Sequence, residues 1–202
     1  MTFNQTNCMN QFQLYFKLGL QHILDLNGFD HILFVIALCV IYLMRDWRKI
    51  LILVTAFTIG HSLTLALATL KVVRVDTDLV EFLIPVTIAL TCLSNIFKPK
   101  PSGGTGYLQL NYAFALFFGL IHGLGFSNYL RALLGRESSL FQPLLAFNIG
   151  LEVGQLVIVS IFLIVSTLMV GILGMKRKEW ILIVSSIVLG MSVMMMLENR
   201  YW

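Results

Sequence analysis

The chain has 202 residues, of which 58% are hydrophobic and only 12% charged, with a formal charge of +4. Soluble domains carry about a quarter charged residues and cannot hide so much apolar surface at this length, so a water-soluble globular fold is excluded and the excess must face lipid. The positive charge, which would suggest a nucleic-acid partner in a soluble protein, is read here as topology markers at helix ends, and no nucleic-acid partner is expected.

The opening residues, MTFNQTNCMNQFQLYFKLGL, have no basic start, no continuous apolar stretch and no small-residue cleavage site, so no cleavable signal peptide is expected. Residues 10–27 interleave Gln11, Gln13, Lys17, Gln21, His22 and Asp25 with Phe12, Leu14, Phe16, Leu18, Leu20 and Ile23. This pattern predicts an amphipathic helix that lies in the membrane interface or folds back into the bundle, a seventh span being the alternative. Six stretches then reach the roughly 20 apolar residues that a span needs, near 28–44, 49–70, 79–97, 108–126, 142–173 and 179–198. The fifth exceeds one straight span and is expected to tilt, to kink near Gly150 or Gly154, or to run past the bilayer. The loop 98–107, which opens KPKPSGGTG, reads as a flexible connection. The predicted fold class is therefore all-α, a polytopic transmembrane helix bundle forming a single integral membrane domain over residues 1–202.

Loops after the first, third and fifth spans carry Arg45, Arg48, Lys49, Lys98, Lys100, Lys176, Arg177 and Lys178, against Lys17, Lys71, Arg74, Arg131, Arg136 and Arg200 on the other side. The excess of basic residues faces inward, so both termini are expected outside. Cys8, Cys39 and Cys92 show no CxxC spacing and support neither a disulfide framework nor a thiolate zinc site.

Ionisable residues within spans are costly and are functional candidates by default. At about 1.5 Å rise per residue, Asp30 and His31 lie about 3–5 Å below the outer start of the first span, and Glu81 at a similar depth in the third. His61 lies about 13 Å from the outer end of the second span, His122 about 6 Å from that of the fourth, and Asn148 and Glu152 about 9 and 15 Å into the fifth. All fall in one half of the membrane. Asn148, Glu152 and Gln155 share one helix face, and Thr55, Thr58 and Ser62 share another with His61 beside it. The small-xxx-small pairs Gly119/Gly123 and Gly150/Gly154 bracket His122 and Glu152 and predict close helix approach there.

Imidazole and carboxylate without thiolate suit a divalent transition metal, with nickel, cobalt and zinc among the choices. The candidate ligands are His22, Asp30, His31, His61, Glu81, His122 and Glu152, with Ser62, Asn148 and Gln155 orienting them. Polar residues in spans also serve simply to hydrogen-bond across helices, and Asp25 reads as a solvated helix-end charge.

The segments GLQHILDLNGFDHILF at 19–34, AFTIGHSLTL at 56–65, Val80-Glu81, FGLIHGLGF at 118–126 and FNIGLEVGQL at 147–156 together resemble the HupE/UreJ family of bacterial membrane proteins. The resemblance implies six or seven spans in the bacterial cytoplasmic membrane and an association with nickel or cobalt supply, with His22, Asp30 and His31 as the metal-handling element. It departs from the HupE-type signature where Ile23 follows His22 in place of proline, which points to the broader second branch of the family. The leading expectation is a metal-ion permease; the runner-up is an intramembrane metal-dependent hydrolase with Glu152 or Asp30 as base, and a bis-histidine haem protein is a third reading. Expected partners are the lipid bilayer and a metal ion, with a homo-oligomer left open.

Overall fold

The computed structural model describes residues 2–26, 28–73, 75–97, 105–127, 130 and 140–201, with backbone alone at 2–10 and 105–110. Among them the fold is all-helical: α1 (Thr2–Ile23), α2 (Asp30–Cys39), a 3₁₀ turn (Met44–Asp46), α3 (Trp47–Thr69), α4 (Thr77–Phe97), α5 (Thr105–Gly125), α6 (Phe141–Thr167) running into a π turn (Leu168–Ile172), and α7 (Arg177–Glu198). Four stretches are long and apolar enough to cross a membrane: Met44–Thr69, Thr77–Phe97, Phe141–Ile172 and Arg177–Glu198. The polarity is inverted relative to a soluble fold. On α3 the imidazole of His61 is 0% exposed while Ile59 and Leu63 are 57% and 51% exposed, the arrangement expected where lipid replaces water outside.

Three helix pairs dominate the packing: α3 against α5, α1 against α6 and α4 against α7. The first two are glycine contacts. A Cβ built on Gly60 would overlap the Leu116 carbonyl, and one on Gly119 the Phe57 carbonyl; on the second pair, Gly19 meets the Phe147 carbonyl and Gly150 that of Phe16. Without hydrophobic drive inside lipid, helices associate by such close backbone approach. Of the segment 10–27, expected in the interface or folded back, residues 10–23 thus belong to a helix laid against α6. Gly150 and Gly154 sit in a continuous helix and serve this contact. The additional length of the fifth stretch is carried by the π turn, and two residues past its end Gly174 turns the chain with φ of 69°.

One element is shorter than its apolar stretch. The span expected near 28–44 is helical only over the ten residues of α2, about 15 Å at 1.5 Å per residue, or half of a roughly 30 Å hydrocarbon core. Its end is buried in protein, with Val40, Ile41 and Tyr42 all below 7% exposure. Backbone may leave a helix at such a depth only if its carbonyls find partners. They do: the Asn95 amide of α4 donates to the Ala37 carbonyl at 2.7 Å, and the Arg177 guanidinium donates to the Ile41 carbonyl. The loop 98–107 falls mostly outside the described residues, as do Arg74, Arg131 and Arg136.

Candidate metal centre

The glycine contacts fix where the histidines point. Gly19 is three residues before His22 on α1, Gly60 immediately precedes His61 on α3, and Gly119 and Gly123 flank His122 on α5; a Cβ on Gly123 would overlap the His61 carbonyl. His31 enters from the first turn of α2. Four helices therefore deliver one imidazole each to a common point. His31 is the hub, with ring centroids 4.6 Å from His22, 5.1 Å from His122 and 6.1 Å from His61. Two compact groups result, His22/His31/His61 and Asp30/His31/His122, each with its potential ligand atoms within 4.8 Å of one another. His31, His61 and His122 are at most 4% exposed.

Hydrogen bonding assigns the tautomers. Asp30 Oδ1 accepts from the His31 backbone N–H at 2.8 Å and lies 2.9 Å from His31 Nδ1. An ionised carboxylate only accepts, so Nδ1 carries the proton and Nε2 the lone pair. On α4, the Thr87 hydroxyl gives its single hydrogen to the Ile84 carbonyl at 2.7 Å. It can then only accept from His122 Nε2, at a long 3.4 Å, which leaves the lone pair of His122 on Nδ1. These lone-pair atoms, His31 Nε2 and His122 Nδ1, together with His22 Nε2 and both nitrogens of His61, are buried without a hydrogen-bond partner. Buried polar atoms are ordinarily paired, and leaving one unpaired costs about 1–3 kcal/mol. Four imidazoles gathered around His31 with these ring nitrogens unpartnered make a donor set of the kind that suits a borderline transition-metal ion.

Phe34, Phe57, Phe126 and Phe147 enclose the cluster. Phe126 packs 3.9 Å from His22 and 5.1 Å from Phe147, and Phe34 lies 5.1 Å from His122. A cavity of about 240 Å³ reaches the histidines through a mouth lined by Asp25, Gly28, Asp30, Glu81 and Phe126.

The other expected residues are placed differently. Glu81 lines that mouth but is exposed and outside both compact groups. Glu152 accepts a hydrogen bond from Thr55 at 2.7 Å, and Gln155 one from Thr58 at 2.8 Å, so this stripe bridges α6 to α3. Asn148 and Ser62 bond back to the carbonyls of Leu144 and Thr58 in their own helices. Asp25, read from sequence as a solvated helix end, lines the mouth, where a Cβ on Gly28 would lie 3.8 Å from its carboxylate and 4.0 Å from that of Asp30. Sequence reasoning also missed Thr87 as the neighbour of His122, and the phenylalanine shell; the only signal for the latter was the recurrence of Phe beside each histidine motif.

No curated protein and no solved structure matches the chain. The family model described as HupE / UreJ protein matches residues 1–200, and with the match spanning nearly its whole length, the chain belongs to the HupE/UreJ family.

Proposed function

We propose that the protein is a transition-metal permease of the nickel and cobalt type, in the bacterial cytoplasmic membrane with both termini outside, and that its substrate ion is held by His22, His31, His61 and His122. In this reading the chain crosses the membrane six times, the four longer helices being joined by α5 and by α2 continued through the non-helical residues 40–43. The observation that carries this reading is the convergence of four imidazoles around His31, with five buried ring nitrogens that have no protein partner. Asp30 fixes the His31 ring, as carboxylates do for ligating histidines. Asp25 and Glu81 give the mouth a negative potential that gathers cations. A carrier must release what it binds, and two triads sharing His31 offer the ion alternative, incomplete ligand sets between which it can pass.

The same cluster would also serve an intramembrane hydrolase, and what favours that second reading is Asp30, a carboxylate close enough to act as base toward a metal-activated water. Glu152, the other carboxylate considered for that role, is engaged with Thr55. Flux separates the two. Proteoliposomes holding the purified chain should carry Ni²⁺ or Co²⁺ across the bilayer, and His61→Ala and His122→Ala should abolish it. Tightly bound metal with no flux in the wild type would favour the hydrolase, and normal flux in both variants would refute the permease.

A further inference from the structure

The histidines occupy one half of the bundle, which leaves the route through the other half open. His31 begins α2 and His122 ends α5, whereas a second cavity, of about 360 Å³, lies at the opposite ends of these helices. It is bounded by Leu38 near the end of α2, Ile41 and Tyr42 beyond it, Leu53 on α3, and side chains of α4 and α5. Asn111 is eleven residues before His122, about 16 Å along the helix. The cavity exists because α2 stops short: the chain turns aside after Cys39 and leaves the space beyond it to α4 and α5.

Its polar lining is composed of neutral groups: Thr91, Ser94 and Asn95 on α4, Asn111 on α5 and Tyr42. Asn95 has a structural task already, since its amide caps the Ala37 carbonyl. Asn111 donates to the Tyr42 hydroxyl at 3.2 Å across the cavity. Thr91 and Thr87 are four residues apart, hence on one face of α4, and Thr87 is the residue that touches His122. Two residues before Thr87, Pro85 has no N–H to return to the Glu81 carbonyl. Thr87, which touches His122, and Thr91 and Ser94, which line the second cavity, thus place hydroxyls at successive depths along α4.

We propose that this second cavity is the inner vestibule through which the ion leaves the histidine cluster, with Thr87 as the joint between the two. The proposal rests on the permease reading above. Hydroxyl and amide oxygens hold a hydrated divalent cation weakly, which suits an exit: a further imidazole or carboxylate here would retain the ion, and a wholly apolar cavity would refuse it.

The test measures equilibrium Ni²⁺ binding in detergent and Ni²⁺ flux into proteoliposomes for the full chain and two variants distant from the histidines, Thr91→Val and Asn111→Leu. The expected result is binding within twofold of the wild type together with flux reduced tenfold or more. Retained binding shows in the same experiment that the variants are folded. Flux within twofold of the wild type overturns the vestibule while leaving the histidine site intact. Loss of binding together with flux also overturns it, because the cavity would then support the cluster rather than drain it. Absence of Ni²⁺ binding by the wild type removes the site reading itself. At the joint, Thr87→Val should lower flux and Thr87→Ser restore it, since only the hydroxyl is required; equal loss in both would contradict the role of Thr87.

Discussion

Asp30 Oδ1 grips His31 twice, taking its backbone N–H at 2.8 Å and facing its Nδ1 at 2.9 Å. One oxygen thus holds the first turn of α2 and sets the tautomer of the imidazole common to both compact groups. An amide at this position can present its N–H₂ to Nδ1 and favour the opposite tautomer. Asp30→Asn should therefore weaken Ni²⁺ or Co²⁺ binding by about 10- to 100-fold, the usual cost of losing such a support. Calorimetric titration of the two proteins checks this, and equal affinities would show that Asp30 does not set the His31 ring.

The glycine contacts yield a stability prediction with an internal control. At Gly60, Gly119 and Gly150 an added Cβ meets backbone of the neighbouring helix, which cannot rotate away, whereas at Gly190 on α7 nothing lies within 4 Å. Gly119→Ala and Gly150→Ala should each lose roughly 1–3 kcal/mol or more from overpacking. Gly190→Ala should gain about 0.5–1 kcal/mol from the better helix former. Thermal unfolding in detergent orders the three variants; a Gly119→Ala protein as stable as Gly190→Ala would mean that α3 and α5 are further apart than described.

Carboxylates near the site divide by position. Glu152 is bonded to Thr55 and outside both ligand groups, so Glu152→Gln, which keeps an acceptor for Thr55, should bind metal within twofold of the wild type. A tenfold loss would place Glu152 among the ligands after all.

Glu81 acts, in this account, through its field at the mouth. Glu81→Gln should slow ion capture at low ionic strength, and the deficit should shrink as salt rises, because screening shortens to roughly 10 Å at 0.1 M. Stopped-flow capture rates across a salt series measure it. A deficit independent of salt would assign Glu81 a direct contact with the ion.

Much of this was legible in the chain. The apolar runs specify helices in lipid, and the histidines share a depth because depth follows from counting residues along a helix. What counting cannot supply is rotation about the helix axes. That is set by Gly19 against Phe147, Gly60 against Leu116 and Gly119 against Phe57, contacts whose partners no local pattern names. Rotation is also why Glu152, at the right depth, turns to Thr55 instead of the histidines. The early end of α2 was hidden for a related reason: residues 32–44 are an unbroken run of hydrophobic residues, and the groups that let the helix stop, Asn95 and Arg177, come from α4 and the start of α7. Asp25 is exposed just past the end of α1, as a helix-end charge should be, and only the fold brings it beside Asp30 and Glu81.

The central claim is that the buried imidazoles of His22, His31, His61 and His122 bind a transition-metal ion. The most direct measurement is X-ray absorption on the purified chain loaded with Co²⁺ or Zn²⁺, with the metal content of the same samples, beside His61→Ala. The account predicts stoichiometric metal with several imidazole nitrogens, at roughly 2.0–2.1 Å for zinc, and loss of that signature in the variant. Metal no higher than background, or an all-oxygen shell unchanged by His61→Ala, would contradict it.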